Sequence, residues 1–134
     1  MHKIMVEISP TLTNKQLNSL FALAWENHKN SDFQQVLSHS LLYLGAFHEE
    51  QLIGFVNVAW DGGSHAFLLD TTVHPQFQRQ GLGKELVQTA TVQVRQRGVE
   101  WLHVDYEDHL HSFYEQCGFR PTKAGLINLI DWNL

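Results

Sequence analysis

The stretch Val73-His74-Pro75-Gln76-Phe77-Gln78-Arg79-Gln80-Gly81-Leu82-Gly83-Lys84 decides how this chain is read. An apolar run precedes it and an amphipathic one follows, so its order is strand, loop, helix. Amide N–H groups at a helix start have no carbonyl partner one turn back, and the helix dipole adds positive charge there. Glycines let a bound anion approach such a backbone closely, and Gly81 and Gly83 stand where that is needed. Two commoner phosphate motifs fail here. A dinucleotide fingerprint would require glycine at Leu86, and a Walker loop would require glycine at Gln78 and Ser or Thr at Glu85.

Working outward, the spacing predicts a helix from Gly81 to Arg97, with Leu82, Leu86, Ala90 and Val94 on one stripe and Gly98 as its stop. Val99 to Asp105 reads as a strand, Asp108 as an N-cap, and His109 to Cys117 as a short helix carrying Leu110, Phe113 and Tyr114. The tail reads as two last strands, at Phe119 and at Leu126 to Ile130. Upstream, Leu41 to His48, Gln51 to Trp60 and His65 to Val73 are three strands separated by Glu49-Glu50 and Asp61-Gly62-Gly63-Ser64, an antiparallel meander. Before them, Ile4, Val6 and Ile8 alternate as a first strand. Thr13 and Gln16 have capping-box spacing for a helix from Asn14 to His28, and Ser31 is the expected cap of a second, short helix with Phe33, Val36 and Leu37.

At 134 residues and 43% hydrophobic content, the chain is expected to form one domain over residues 1–134. The single cysteine, Cys117, excludes an internal disulfide and is expected to pack as a small hydrophobe in a reduced, cytoplasmic protein. No stretch has the length of a membrane span or the apolar run of a signal peptide, so no membrane partner is expected. A formal charge of -5 argues against nucleic acid and favours cationic small molecules or basic peptide ends.

The segment Gln78-Arg79-Gln80-Gly81-Leu82-Gly83 resembles the Q/R-x-x-G-x-G/A signature of the GNAT N-acetyltransferase superfamily, here preceded by Val-x-Pro. Downstream, Phe113-Tyr114-Glu115-Gln116-Cys117-Gly118-Phe119 is similar to that family's aromatic-Tyr-x-x-x-Gly-Phe segment. The order of elements matches across nearly the whole chain. The resemblance implies an α/β (α+β) fold of GNAT type, with a mixed, mostly antiparallel sheet of roughly six to seven strands flanked by about four helices. It implies acetyl-CoA as donor substrate and transfer of its acetyl group to a primary amine of a small molecule or peptide. The pantetheine arm would pair with backbone at Thr71, Thr72 and Val73. The pyrophosphate would sit on the amides of Arg79, Gln80, Gly81, Leu82, Gly83 and Lys84, flanked by the side chains of Gln78 and Arg79. Tyr114 matches the tyrosine that protonates the departing thiolate.

The attacking amine must also lose a proton, and here the chain departs from its resemblance. Some family members place a glutamate where Phe67 stands. His65, on the same strand face, and Asp70, near the thioester end, are the candidate bases, with Asp61 and Asp105 behind them and a water relay as the alternative. Glu107 stands where many relatives carry an asparagine. These two departures leave open a second reading, a non-catalytic acyl-CoA-binding sensor. Trp25, His28, Trp60 and Asp61 are expected to line the acceptor side. His103, Asp105, His109 and His111 match no known ligand spacing, so no metal is expected. The run Leu126 to Ile130, if it is an edge strand, would pair across a homodimer.

Overall fold

In the computed structural model, which describes residues 3–133, the elements run β1 (Ile4–Ile8), α1 (Asn14–Ala24), α2 (Gln34–Ser38), β2 (Ser40–His48), β3 (Gln51–Trp60) and β4 (His65–Val73). A 3-10 turn (Pro75–Phe77), α3 (Leu82–Gln96), β5 (Trp101–His103), a second 3-10 turn (Asp108–Leu110) and α4 (His111–Gln116) follow. Two compact units are formed, Met1–Val104 and Asp105–Leu134.

The first unit is a five-stranded sheet in the order β1-β2-β3-β4-β5, antiparallel except for the parallel pair β4 and β5. The meander strands β3 and β4 have the bounds expected from alternation and turn residues. Gly54 on β3 shows why α3 can lie flat on the sheet: a Cβ there would meet Leu86 Cδ1 at 3.0 Å and Ala46 Cβ at 3.1 Å. By strand alternation Val56 and Val58 share that face, and Leu68 of β4, paired with Val58, joins them beneath α3. Leu86, Val87 and Ala90 of α3 are completely buried against it. On the other face, Leu17, Leu20 and Phe21 of α1 pack with Leu12, Leu52 and Phe55, and Phe33, Leu37, Tyr43 and Phe47 close the cluster. The Thr13 capping box is present in full.

Three expectations are corrected in this unit. Helix α1 stops at Ala24 instead of His28, because Trp25 is extended at the C-cap. The chain then turns so that the His28 ring lies on Phe21 and Phe33, and its Nε2 is 2.9 Å from Asn18 Oδ1. Ser31 does not cap α2; the Asp32 carboxylate takes the Gln34 N–H instead, at 3.0 Å. Strand β5 spans only Trp101–His103, the part that pairs with His65, Ala66 and Phe67.

In the second unit no strand forms at Phe119 or from Leu126 to Ile130, so the sheet has five strands and not six to seven. The cause is local. Asn128 Oδ1 accepts the Ile130 N–H at 2.9 Å and Asn128 O accepts the Asp131 N–H at 3.2 Å, which makes a turn of the run. Ile130 is 94% exposed, and the edge strand on which a homodimer contact was to rest is absent. Helix α4 is preceded by a 3-10 turn where a single helix from His109 was expected, and it ends at Gly118, whose φ is +102°.

Candidate active site

The loop between β4 and α3 is built from the backbone outward. His74 fixes its start: its N–H donates to Ile53 O at 2.7 Å and its Nδ1 accepts the Gln76 N–H at 3.1 Å. The Gln78 amide donates to Val73 O at 3.0 Å and so braces the end of β4. Arg79 and Gly81 then take left-handed backbone, φ +64° and +84°. Gly81 is the N-cap of α3 and makes no side-chain cap bond, while its carbonyl accepts the Glu85 N–H at 3.0 Å. The amides of Leu82, Gly83 and Lys84 precede the first intrahelical donor and have no partner one turn back. Nothing lies within 4 Å of a Cβ built on Gly81. The result is open space lined by N–H groups at the positive end of a 15-residue helix, with Arg79 and Lys84 exposed beside it. A pyrophosphate fits such a surface.

Upstream of the loop, β4 is bent by a bulge. Asn57 pairs with Leu69 and Phe55 with Thr72, so β4 carries one extra residue there, and Asp70 takes φ +58°. A chain of hydroxyl bonds holds this shape. The Trp25 indole donates to Thr72 Oγ1 at 3.0 Å, and Thr72 Oγ1 donates to Asp70 O at 2.8 Å. The side chain of Asp70 reaches solvent, yet the protein around its carboxyl raises the pKa by desolvation. Thr71 Oγ1 is the one buried side-chain polar atom without a partner among the described residues, which fits a strand end prepared for a polar ligand.

Beyond the bulge, an open cleft of about 380 Å³ lies against the sheet, lined by Asp32, Gln35, Val36, His39, Asn57, Ala59 and Leu69. Its floor is side-chain chemistry. Asn57 is buried and accepts a hydrogen bond from the Ser40 hydroxyl. His39 Nδ1 lies 2.8 Å from Gln35 O. The Asp32 carboxyl is held below its ordinary pKa by the Gln34 N–H and the Asn14 amide. Trp25, His28, Trp60 and Asp61, expected on this side, do not line the cleft; Asp61 instead accepts the N–H groups of Gly63 and His65. Sequence reading missed Asn57, although an asparagine inside the apolar run Leu52 to Trp60 was a usable signal.

The sheet continues sideways from the cleft. Ala59 pairs with Phe67 and Phe67 with His103, so the three stand in one row on one face. His65, on the same face, places Nδ1 at 2.7 Å from His103 Nε2. His65 and Asp70, five residues apart, are roughly 16 Å apart along the strand.

In the second unit, Tyr114 of α4 is 7% exposed, stacked on Tyr106 at 4.9 Å and edge-on to Phe113 and Phe119. His109 lies 3.5 Å from Glu107, and His111 contacts Glu115 and Tyr106. Among the described residues, no group of three or more His, Cys, Asp or Glu side chains is arranged to hold a metal, and no helix is long and apolar enough to cross a membrane.

Comparison with known proteins agrees with this geometry. The sequence profile of the acetyltransferase (GNAT) family matches residues 10–119, and the chain belongs to that family. It is 28% identical over 109 residues to the uncharacterized N-acetyltransferase ycf52 of Porphyra purpurea, covering 78% of this chain and 63% of that protein. It thus spans less than two thirds of the length of the curated relatives it matches first. In fold it is similar to a solved Deinococcus radiodurans R1 protein assigned as an acetyltransferase (TM-score 0.81, 23% identity, 96% of this chain and 90% of that one). It is similar also to the aminoglycoside N-acetyltransferase AAC(6')-Iy solved in complex with CoA (TM-score 0.74, 15% identity, 96% and 95%). The GNAT fold, a mixed α+β arrangement around a mostly antiparallel sheet, is therefore shown.

Proposed function

We propose that this chain is an acetyl-CoA-dependent N-acetyltransferase that passes the acetyl group to a primary amine of a small molecule or peptide in a ternary complex. The observation that carries the reading is the group of partnerless amides at Leu82, Gly83 and Lys84 behind a left-handed, unobstructed Gly81. When bound, acetyl-CoA supplies an acyl carbon activated as a thioester. The chain's own residues do the rest. The loop amides from Arg79 to Lys84 hold the pyrophosphate, and Thr71, Thr72 and Val73 offer backbone, with the orphan Thr71 hydroxyl, to the pantetheine arm. The bulge at Asp70 ends the regular ladder next to that arm. The cleft over Asn57, Ala59 and Leu69 receives the acceptor. Asp70 and His65 are the β4 groups able to take a proton from the amine, Asp70 nearer the donor and His65 farther along the strand. Tyr114, by its resemblance to the family's tyrosine, returns a proton to the sulfur.

The test is calorimetric titration of acetyl-CoA into wild type and Gly81→Glu. The substitution forces a β-carbon into left-handed backbone and puts a carboxylate on the anion site, so binding is expected to weaken at least about 100-fold, or about 2.7 kcal/mol. Equal affinities would remove the loop from the donor site. By the resemblance, some family members carry a glutamate where Phe67 stands and many carry an asparagine where Glu107 stands, which favours one second reading, a sensor that binds acyl-CoA without turnover.

A further inference from the structure

We infer that His103 is a catalytic residue of this reaction, the group that takes the proton from the acceptor amine, and that His65 is its positioning partner. This rests on the acetyltransferase reading above. The ring of His103 lies flat on Phe67, centroids 4.7 Å apart and planes at 22°. By the resemblance, some family members place a glutamate where Phe67 stands, and here an imidazole lies over that apolar ring. His103 also lies nearer the donor than His65 does. It stands opposite Phe67, three residues before Asp70 and so about 10 Å from it along the sheet, whereas His65 is about 16 Å away. Its row, Ala59-Phe67-His103, leads directly out of the cleft.

The hydrogen bond between the rings defines the proton path. At 2.7 Å, His65 Nδ1 and His103 Nε2 share one proton, since one nitrogen must donate and the other accept. With the proton on His103 Nε2, His103 Nδ1 has a free lone pair and His65 Nε2 carries a hydrogen. A proton leaving the ammonium for His103 Nδ1, directly or through one water, leaves a neutral amine. The Nε2 proton then passes to His65 Nδ1, and the Nε2 proton of His65 leaves to water, so one proton enters and one departs. Of the charged groups beside the pair, Asp61 accepts the His65 backbone N–H on Oδ1 at 3.2 Å, and Glu100, just ahead of β5, donates its N–H to Ser64 O at 3.1 Å, while Asp32 and His39 line the cleft.

The experiment uses the whole chain, acetyl-CoA and a panel of amines, in wild type, His103→Gln, His65→Gln and the double variant. A glutamine amide can replace the Nε2 bond to His65 but cannot accept a proton at this pH. His103→Gln is expected to lower kcat/KM about 100-fold with acetyl-CoA affinity unchanged, and to abolish the acid limb of the pH–rate profile. His65→Gln should lose less and move that limb, and the double variant should be no worse than His103→Gln alone. Independent, additive losses overturn the pair, as does a His103→Gln enzyme with the wild-type rate and profile; the acetyltransferase reading survives either result. A readout without turnover is ring-nitrogen NMR. The His65 ring signals should report a hydrogen bond from Nδ1 to the His103 ring in wild type. Ring signals that show no such bond in wild type overturn the inference, and a wild type that binds acetyl-CoA but acetylates no amine overturns both it and the reading on which it rests.

Discussion

The two faces of β4 differ sharply in burial. Ala66 and Leu68 point beneath α3 and are 0% and 2% exposed, while Phe67 and Leu69, their immediate neighbours in sequence, are 40% and 36% exposed on the other side. Alternation along one strand thus separates two tasks. The α3 face is closed by interdigitated aliphatic side chains and a glycine at contact distance, and its work is to hold the loop and helix start at a fixed place. The opposite face, between the cleft and β5, leaves aromatic and imidazole rings uncovered, and it is where the proposed reaction would take place. Along β4, the buried side chains lie on the first and the candidate site residues on the second.

The largest effect expected from this contrast comes from truncating matched leucines on the two faces. Leu86→Ala removes a completely buried side chain from the α3 face and should cost about 2–5 kcal/mol in denaturant unfolding. Leu69→Ala, on the open face, should cost less than about 1 kcal/mol while raising the KM for the acceptor. Equal costs would mean that the open face is packed as a core, and the division would be wrong.

A smaller effect concerns the junction of the faces at Asp70. Its folded pKa is raised by desolvation, so the folded state binds this proton more tightly than the unfolded chain does. The contribution to stability is therefore most favourable below the unfolded value near 3.8, and is lost as pH rises through the raised folded value. Asp70→Asn, which keeps a residue type tolerant of φ +58°, should melt slightly above wild type at neutral pH. The difference should shrink as the pH falls into the carboxylate range, and a melting difference that grows toward acid would contradict the assigned cause.

The packed face was legible in the sequence because a single physical signal specifies it. The stripe Leu82, Leu86, Ala90 and Val94 and the turns flanking β3 and β4 gave α3 within a residue and the two strands at their observed bounds. The turn at the glycine loop was legible for a related reason: left-handed backbone at Gly81 and a helix starting at Leu82 follow from the glycine and the apolar stripe, with no distant side chain to locate. The open face was not. The Asp70 bulge depends on the Trp25 indole reaching Thr72 across 47 residues, and the pairing of His65 with His103 depends on a parallel register that no local pattern encodes. The tail failed differently. Leu126 to Ile130 has a strand's composition, but Asn128 inside it supplies a side-chain turn that competes with the ladder.

Whether the chain carries out the proposed reaction is most directly tested by thiol release from acetyl-CoA in the presence of an amine panel, comparing wild type with Tyr114→Phe. The account predicts amine-dependent release by wild type, depressed at least about 10-fold in Tyr114→Phe, with acetyl-CoA affinity unchanged between the two. Tight binding of acetyl-CoA by wild type with no amine-dependent release would contradict it, and would leave the packed face as the support of a sensor.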